Sequence, residues 1–260
     1  MAITLKSARE LELIRRACRL VSQVLEELSC KAAPGVTTAQ LEVLACQMTK
    51  QASAQALFKG VPNPHGGAAF PAAICASRNE VLVHGIPDDS PLANGDILSI
   101  DFGVRLKGYC GDAATTVLIG QVSREASRLV EVTKEALKLA IDNCKPYRRW
   151  SQVAGLMASF VRGEGFAMVE DFVGHGIGLT MHEDPRVPNF VDPKADDFLL
   201  EPGLVLAVEP MVNAGSKKVK TLSDGWTVVT ADSRLCAHFE HTIAITNDGA
   251  EVLTAGPWFE

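Results

Sequence analysis

The sequence predicts an α+β fold made of two similar halves around one shared core. Two observations carry this reading. The order helix, helix, strands runs through the chain twice, and no low-complexity linker separates the two passes. Residues 1–260 are therefore expected to form a single domain, although a prior of roughly 150 residues per domain would also allow two.

The first helix is expected from Ser7 to about residue 31. Ser7 and Glu10 have capping-box spacing, and Leu11, Ile14, Cys18, Val21, Leu25 and Leu28 then form one apolar stripe. Pro34-Gly35 ends it. Thr37 and Gln40 repeat the capping box before a second helix expected to reach about residue 55. Asn63 to Gly67 is a loop, and from residue 70 to 119 the texture is strand-like. Asn94-Gly95-Asp96 turns into ILSIDFGV, and Lys107-Gly108 turns that strand into CGDAATTVLI. The second pass starts with helices from about Ser123 to Cys144 and from about Ser151 to Gly163. Strands are expected near 169–174, 204–213, 226–230 and 238–246.

Apolar residues make up 47% and charged residues 22%, which suits a globular protein with a substantial core. A net charge of −6 without like-charged runs argues against specific nucleic-acid binding. Seven cysteines with no CxxC give no disulfide framework or zinc ribbon. The N-terminus does not read as a secretory signal, and no run approaches the ~20 apolar residues of a membrane helix. The expectation is a cytoplasmic protein with no membrane partner.

Five residues stand out together: Asp101, Asp112, His175, Glu209 and Glu240. Asp101 and Asp112 lie eleven residues apart on what should be paired antiparallel strands, so both carboxylates can face one side. Their flanks are apolar or small, which argues for burial, and buried carboxylates need a cation or a proton. His175 has glycine on both sides, Glu209 ends an apolar run before Pro210, and Glu240 precedes a β-branched strand. Singly, each has an ordinary reading as a strand end, a turn residue or a rim charge. As a set, one imidazole and four carboxylates at one point would be very unfavourable without compensating charge. Two divalent ions would supply it, activate water and polarise a carbonyl. The donor set suits manganese or iron, and the imidazole admits zinc or cobalt.

The segments NEVLVHGIP, DILSIDFGV, GYCGDAATT, GHGIGLTMHEDPRVPN, EPGLVLAVEPMV and DGWTVVTADSRLCAHFEHTIAIT appear in an order that resembles type I methionine aminopeptidases of the bacterial type along nearly the whole chain. The resemblance implies the pita-bread fold of creatinases and aminopeptidases, with two pseudo-symmetric halves around a dinuclear metal site. It implies hydrolytic removal of the initiator methionine from nascent polypeptides ahead of a small second residue. Asp101 would chelate one metal, Asp112 and Glu240 would bridge both, and His175 and Glu209 would complete the second site. Glu209 would shuttle the proton, His84 would contact substrate beside the scissile peptide, and His182 would hydrogen-bond the reacting carbonyl. Phe70, Cys75, His84, Met181 and Trp226 would hold the methionine side chain. Departures from the family pattern fall at Gly67 and Met181. A transient ribosome contact and a monomeric state are further expectations, and His65, His238 and His241 receive no role.

Proline-specific aminopeptidases and prolidases share the ligands but usually carry an additional N-terminal domain. Type II methionine aminopeptidases carry a helical insertion between the last two glutamates, which here stand only 31 residues apart. Non-catalytic pita-bread binding proteins lose metal ligands, and all five are present here.

Overall fold

The computed structural model describes residues 3–64, 66–194 and 196–259. Helix α1 (Ala8–Lys31) opens with the Ser7/Glu10 capping box, and α2 (Thr38–Gln51) with that of Thr37/Gln40. The second helix stops short of residue 55. Ser53 takes a left-handed backbone (φ 54°), and Gln55–Ala56 instead pair along the edge of the main sheet opposite Arg105 and Val104. Helix α3 (Arg124–Asn143) is capped by Ser123, and α4 spans Trp150–Gly163. Ser151, read from sequence as the start of α4, gives its N–H and hydroxyl to the Asp197 carboxylate.

A nine-stranded sheet joins the two halves. Its principal strands are β1 (Ile74–Arg78), β2 (Ile97–Leu106), β3 (Tyr109–Leu118), β4 (Gly174–Gly176), β5 (Val205–Val208) and β6 (Glu240–Ile245). The path runs from β2 through β3, β6 and β5 to β4. Lys107 (φ 52°) and Gly108 (φ 89°) form the two-residue turn between β2 and β3, as their sequence suggests. Alternation along β2 sends Leu98, Ile100, Phe102 and Val104 into a core with Ala17, Val21, Leu25 and Leu28 of α1. In the second half Leu129, Val132 and Leu137 of α3 and Met157 of α4 pack on Leu206, Val208, Ile243 and Ile245. With one face of each half packed by helices, the opposite face is left for the carboxylates.

Three expected strands resolve differently. Residues 169–173 form no strand, because Val169 and Phe172 join a small loop core beside Leu82 and Val228. The run 204–213 breaks at Glu209-Pro210, since proline has no N–H for a ladder. The run 238–246 breaks at Phe239: Cys236–His238 pair with Met211–Asn213, while β6 pairs with β3 and β5. These two breaks sit together, with Phe239 N donating to the Pro210 carbonyl at 3.3 Å.

Candidate active site

Strand register alone brings four of the five candidate ligands to one face. Cys75, Asp101, Ala114 and Glu240 lie directly opposite one another across β1, β2, β3 and β6. Asp112 is opposite Gly103, two residues from Asp101 on the same face, so the two aspartates are diagonal neighbours. The small residues Gly103 and Ala114 leave the carboxylates room. On the far side His175 is opposite Ala207, two positions before Glu209, and its Nε2 lies 3.7 Å from Glu209 Oε1. Asn189 Nδ2 donates to the Glu209 carbonyl at 3.0 Å, fixing the backbone where β5 ends.

Ligating atoms of Asp112, His175 and Glu240 all lie within 4.8 Å of one another. Asp101 Oδ1, Asp112 Oδ1 and Glu240 Oε1 are buried without a hydrogen-bond partner among the described residues. Orphaned carboxylate oxygens are costly, and a cation at their meeting point removes that cost. Burial pushes Asp101 up to about 7. Burial, reinforced by mutual repulsion, drives Asp112, Glu209 and Glu240 well above the usual carboxylate range. The donor set thus fits hard or borderline divalent ions.

The carboxylates form the floor of a cavity of about 350 Å³. Every predicted ligand and substrate-contacting residue lines it: Asp101, Asp112, His175, Glu209 and Glu240, with His84, His182, Phe70, Cys75, Met181 and Trp226. Phe70 and Trp226 meet edge-on at 5.3 Å, and Trp226 Nε1 donates to the Ala68 carbonyl. His84 has a left-handed backbone (φ 58°), unusual for a non-glycine residue, and stands edge-on to Trp226 and Phe172. His175 and His182 stack edge-on at 4.4 Å. Burial lowers His84 and His175 to about 4, so both rings are neutral at neutral pH.

Sequence reading missed part of the wall. Gly67 is exposed and does not line the cavity; Phe58, Val61, Pro62 and Pro64 do. Nothing in a proline-rich loop announces which side chains border the cavity. His238 also went unassigned. It is buried, and its Nε2 lies 3.8 Å from Glu209 Oε2, because Phe239 breaks the strand there and reverses the alternation. His241 is structural, bonded to Thr254 and wrapped by Trp258 and Phe259. His65 lies outside the described residues.

Residues 12–247 match the family model of metallopeptidase family M24. The chain is 46% identical to methionine aminopeptidase 1 of Bacillus subtilis over 252 residues, covering 97% of this chain and 99% of the relative. The chain belongs to metallopeptidase family M24, among the bacterial type I methionine aminopeptidases. A crystal structure of methionine aminopeptidase from Thermotoga maritima superposes on this M24 chain with a TM-score of 0.91 at 40% identity, covering 97% of this chain and 99% of that one. The prolidase of Pyrococcus horikoshii shares the fold alone, with a TM-score of 0.76 at 21% identity and 63% of its length covered. The M24 fold is thus the pita-bread fold expected from sequence. Membership in a metallopeptidase family places divalent metal in the chemistry. Among the described residues no helix is long and apolar enough to cross a membrane.

Proposed function

We propose that this chain is a methionyl aminopeptidase acting on nascent polypeptide N-termini, with Asp101, Asp112, His175, Glu209 and Glu240 holding two divalent ions. Cobalt, manganese, iron and zinc all suit that donor set. The observation that carries the reading is the joining of two environments in one cavity. Four carboxylates and an imidazole occupy its floor, and an apolar wall containing Phe70, Cys75, Met181 and Trp226 adjoins them. A methionine side chain suits that wall, and a free α-amine suits the metal-bearing floor.

Bound divalent ions supply a polarised carbonyl and a water acidic enough to attack it at neutral pH. Glu209, placed where β5 ends with its carboxylate 3.7 Å from His175 Nε2, takes the proton of the attacking water and returns it to the leaving amine. His182, at the cavity mouth, donates to the oxygen that becomes negative in the transition state. His84, neutral and held at a fixed backbone angle, hydrogen-bonds the scissile peptide. Hydrolysis of a Met-Ala peptide by metal-loaded protein, its loss in chelator and its return with divalent metal test the reading. Full activity with metal verified as absent would overturn it.

A further inference from the structure

His182 sits in a segment, residues 177–182, that belongs to no helix or strand. Such a segment is a poor support for a group that must meet a developing charge within a fraction of an ångström. Its backbone is tied together by one acid. Glu183 Oε1 accepts from Thr180 N at 3.1 Å, and Thr180 Oγ1 donates to the His182 carbonyl at 3.1 Å. The other oxygen, Glu183 Oε2, accepts from Lys6 Nζ at 2.5 Å. Lys6 lies just ahead of α1, its side chain only 4% exposed, and its own N–H donates to the Gly203 carbonyl at 2.7 Å beside the start of β5. The ammonium is seated with Gly178 as its floor: a Cβ there would fall 2.7 Å from Nζ.

We propose that Lys6 is a positioning residue for His182, acting through Glu183; the proposal rests on the role given to His182 above. The fixed ammonium holds Glu183, Glu183 holds the 180–182 turn, and that turn sets where the imidazole points. A near-buried ion pair could serve stability alone. The two roles separate because a positioning residue has nothing left to position once the imidazole is gone.

The test uses Lys6→Met and Glu183→Gln, each alone and combined with His182→Ala, in metal-loaded full-length protein. Metal content and thermal unfolding are measured alongside. With His182 present, each variant should lower kcat roughly ten- to hundredfold with KM and metal content nearly unchanged. With His182→Ala, the further loss should be less than about twofold. The Cε1–H resonance of the His182 imidazole, assigned by its loss in His182→Ala, should also shift in Lys6→Met. That readout needs no turnover, so it judges Lys6 even if the chain fails to release methionine, a failure that would instead overturn the functional reading. Equal fold losses in both backgrounds, or an unmoved His182 resonance, would overturn the proposal.

Discussion

Gly103 and Asp112 face each other across the β2–β3 pair, and a Cβ on Gly103 would stand 2.9 Å from Asp112 Oδ1. The carboxylate therefore occupies space that any other residue at 103 would claim. Gly103→Ala should displace Asp112 and weaken divalent-metal binding, by roughly 10–100-fold on the scale of disturbed metal surroundings. The metal-free protein should fold normally, since alanine suits a strand interior better than glycine. Titration calorimetry with manganese checks this; unchanged affinity would show that Asp112 is not a ligand.

Much of this arrangement was legible before any coordinates. Capping boxes, the Lys107-Gly108 turn and period-two burial determine where β2 and β3 run, and from them that Asp101 and Asp112 share a face. What could not be read were breaks in pairing that depend on partners distant in sequence. The Phe239 interruption places His238 beside Glu209, and it exists because Met211–Asn213 and β5 belong to different sheets. Equally hidden was that Val61, Pro62 and Pro64 line the cavity, which local propensity does not encode.

Glu209→Gln should reduce kcat far more than it reduces stability. In the metal-free protein burial, reinforced by Asp101, already drives the Glu209 carboxyl toward its neutral form, so a neutral isostere costs little stability there. It also removes the proposed proton carrier, and general acid–base assistance is worth about 10²–10⁴-fold. Steady-state kinetics paired with thermal unfolding in chelator separates the two effects. Near-normal kcat would take Glu209 out of proton transfer.

Metal removal should make stability depend on pH in a definite direction. Asp101 rises from 3.8 to about 7 on folding, chiefly through burial, so the folded metal-free protein holds a proton that the unfolded chain releases. That contribution is full below about pH 4 and is lost as pH climbs through 7. Its limit for Asp101 alone is about 4 kcal/mol. In chelator, Tm should fall between pH 5 and pH 8, and fall less in Asp101→Asn. Added manganese should raise Tm more at pH 8 than at pH 5, because binding displaces protons. A wild-type dependence no steeper than that of Asp101→Asn would refute the assignment.

The last expectation concerns His182 and the residue that follows methionine in the substrate. His182 stands at the cavity mouth with its ring edge-on to His175, so its donor can face a carbonyl held above the carboxylate floor. A donor aimed at charge that grows during reaction contributes mainly to the transition state, and removing one typically costs about 10²–10³-fold in kcat. His182→Ala should therefore lower kcat strongly while metal content stays intact. Selection of the second residue follows from sterics instead. In the proposed binding mode the peptide passes between His84, whose ring is braced by Phe172 and Trp226, and the 178–183 segment braced by Glu183. Neither wall can retreat freely, so Met-Ala, Met-Gly and Met-Ser peptides should be cleaved and Met-Lys and Met-Glu peptides spared. Comparing kcat/KM across these five peptides checks the steric part, which equal turnover of Met-Ala and Met-Lys would falsify. A His182→Ala variant altered only in KM would mean that the imidazole binds the ground state as strongly as the transition state, and the oxyanion role would then belong to another group.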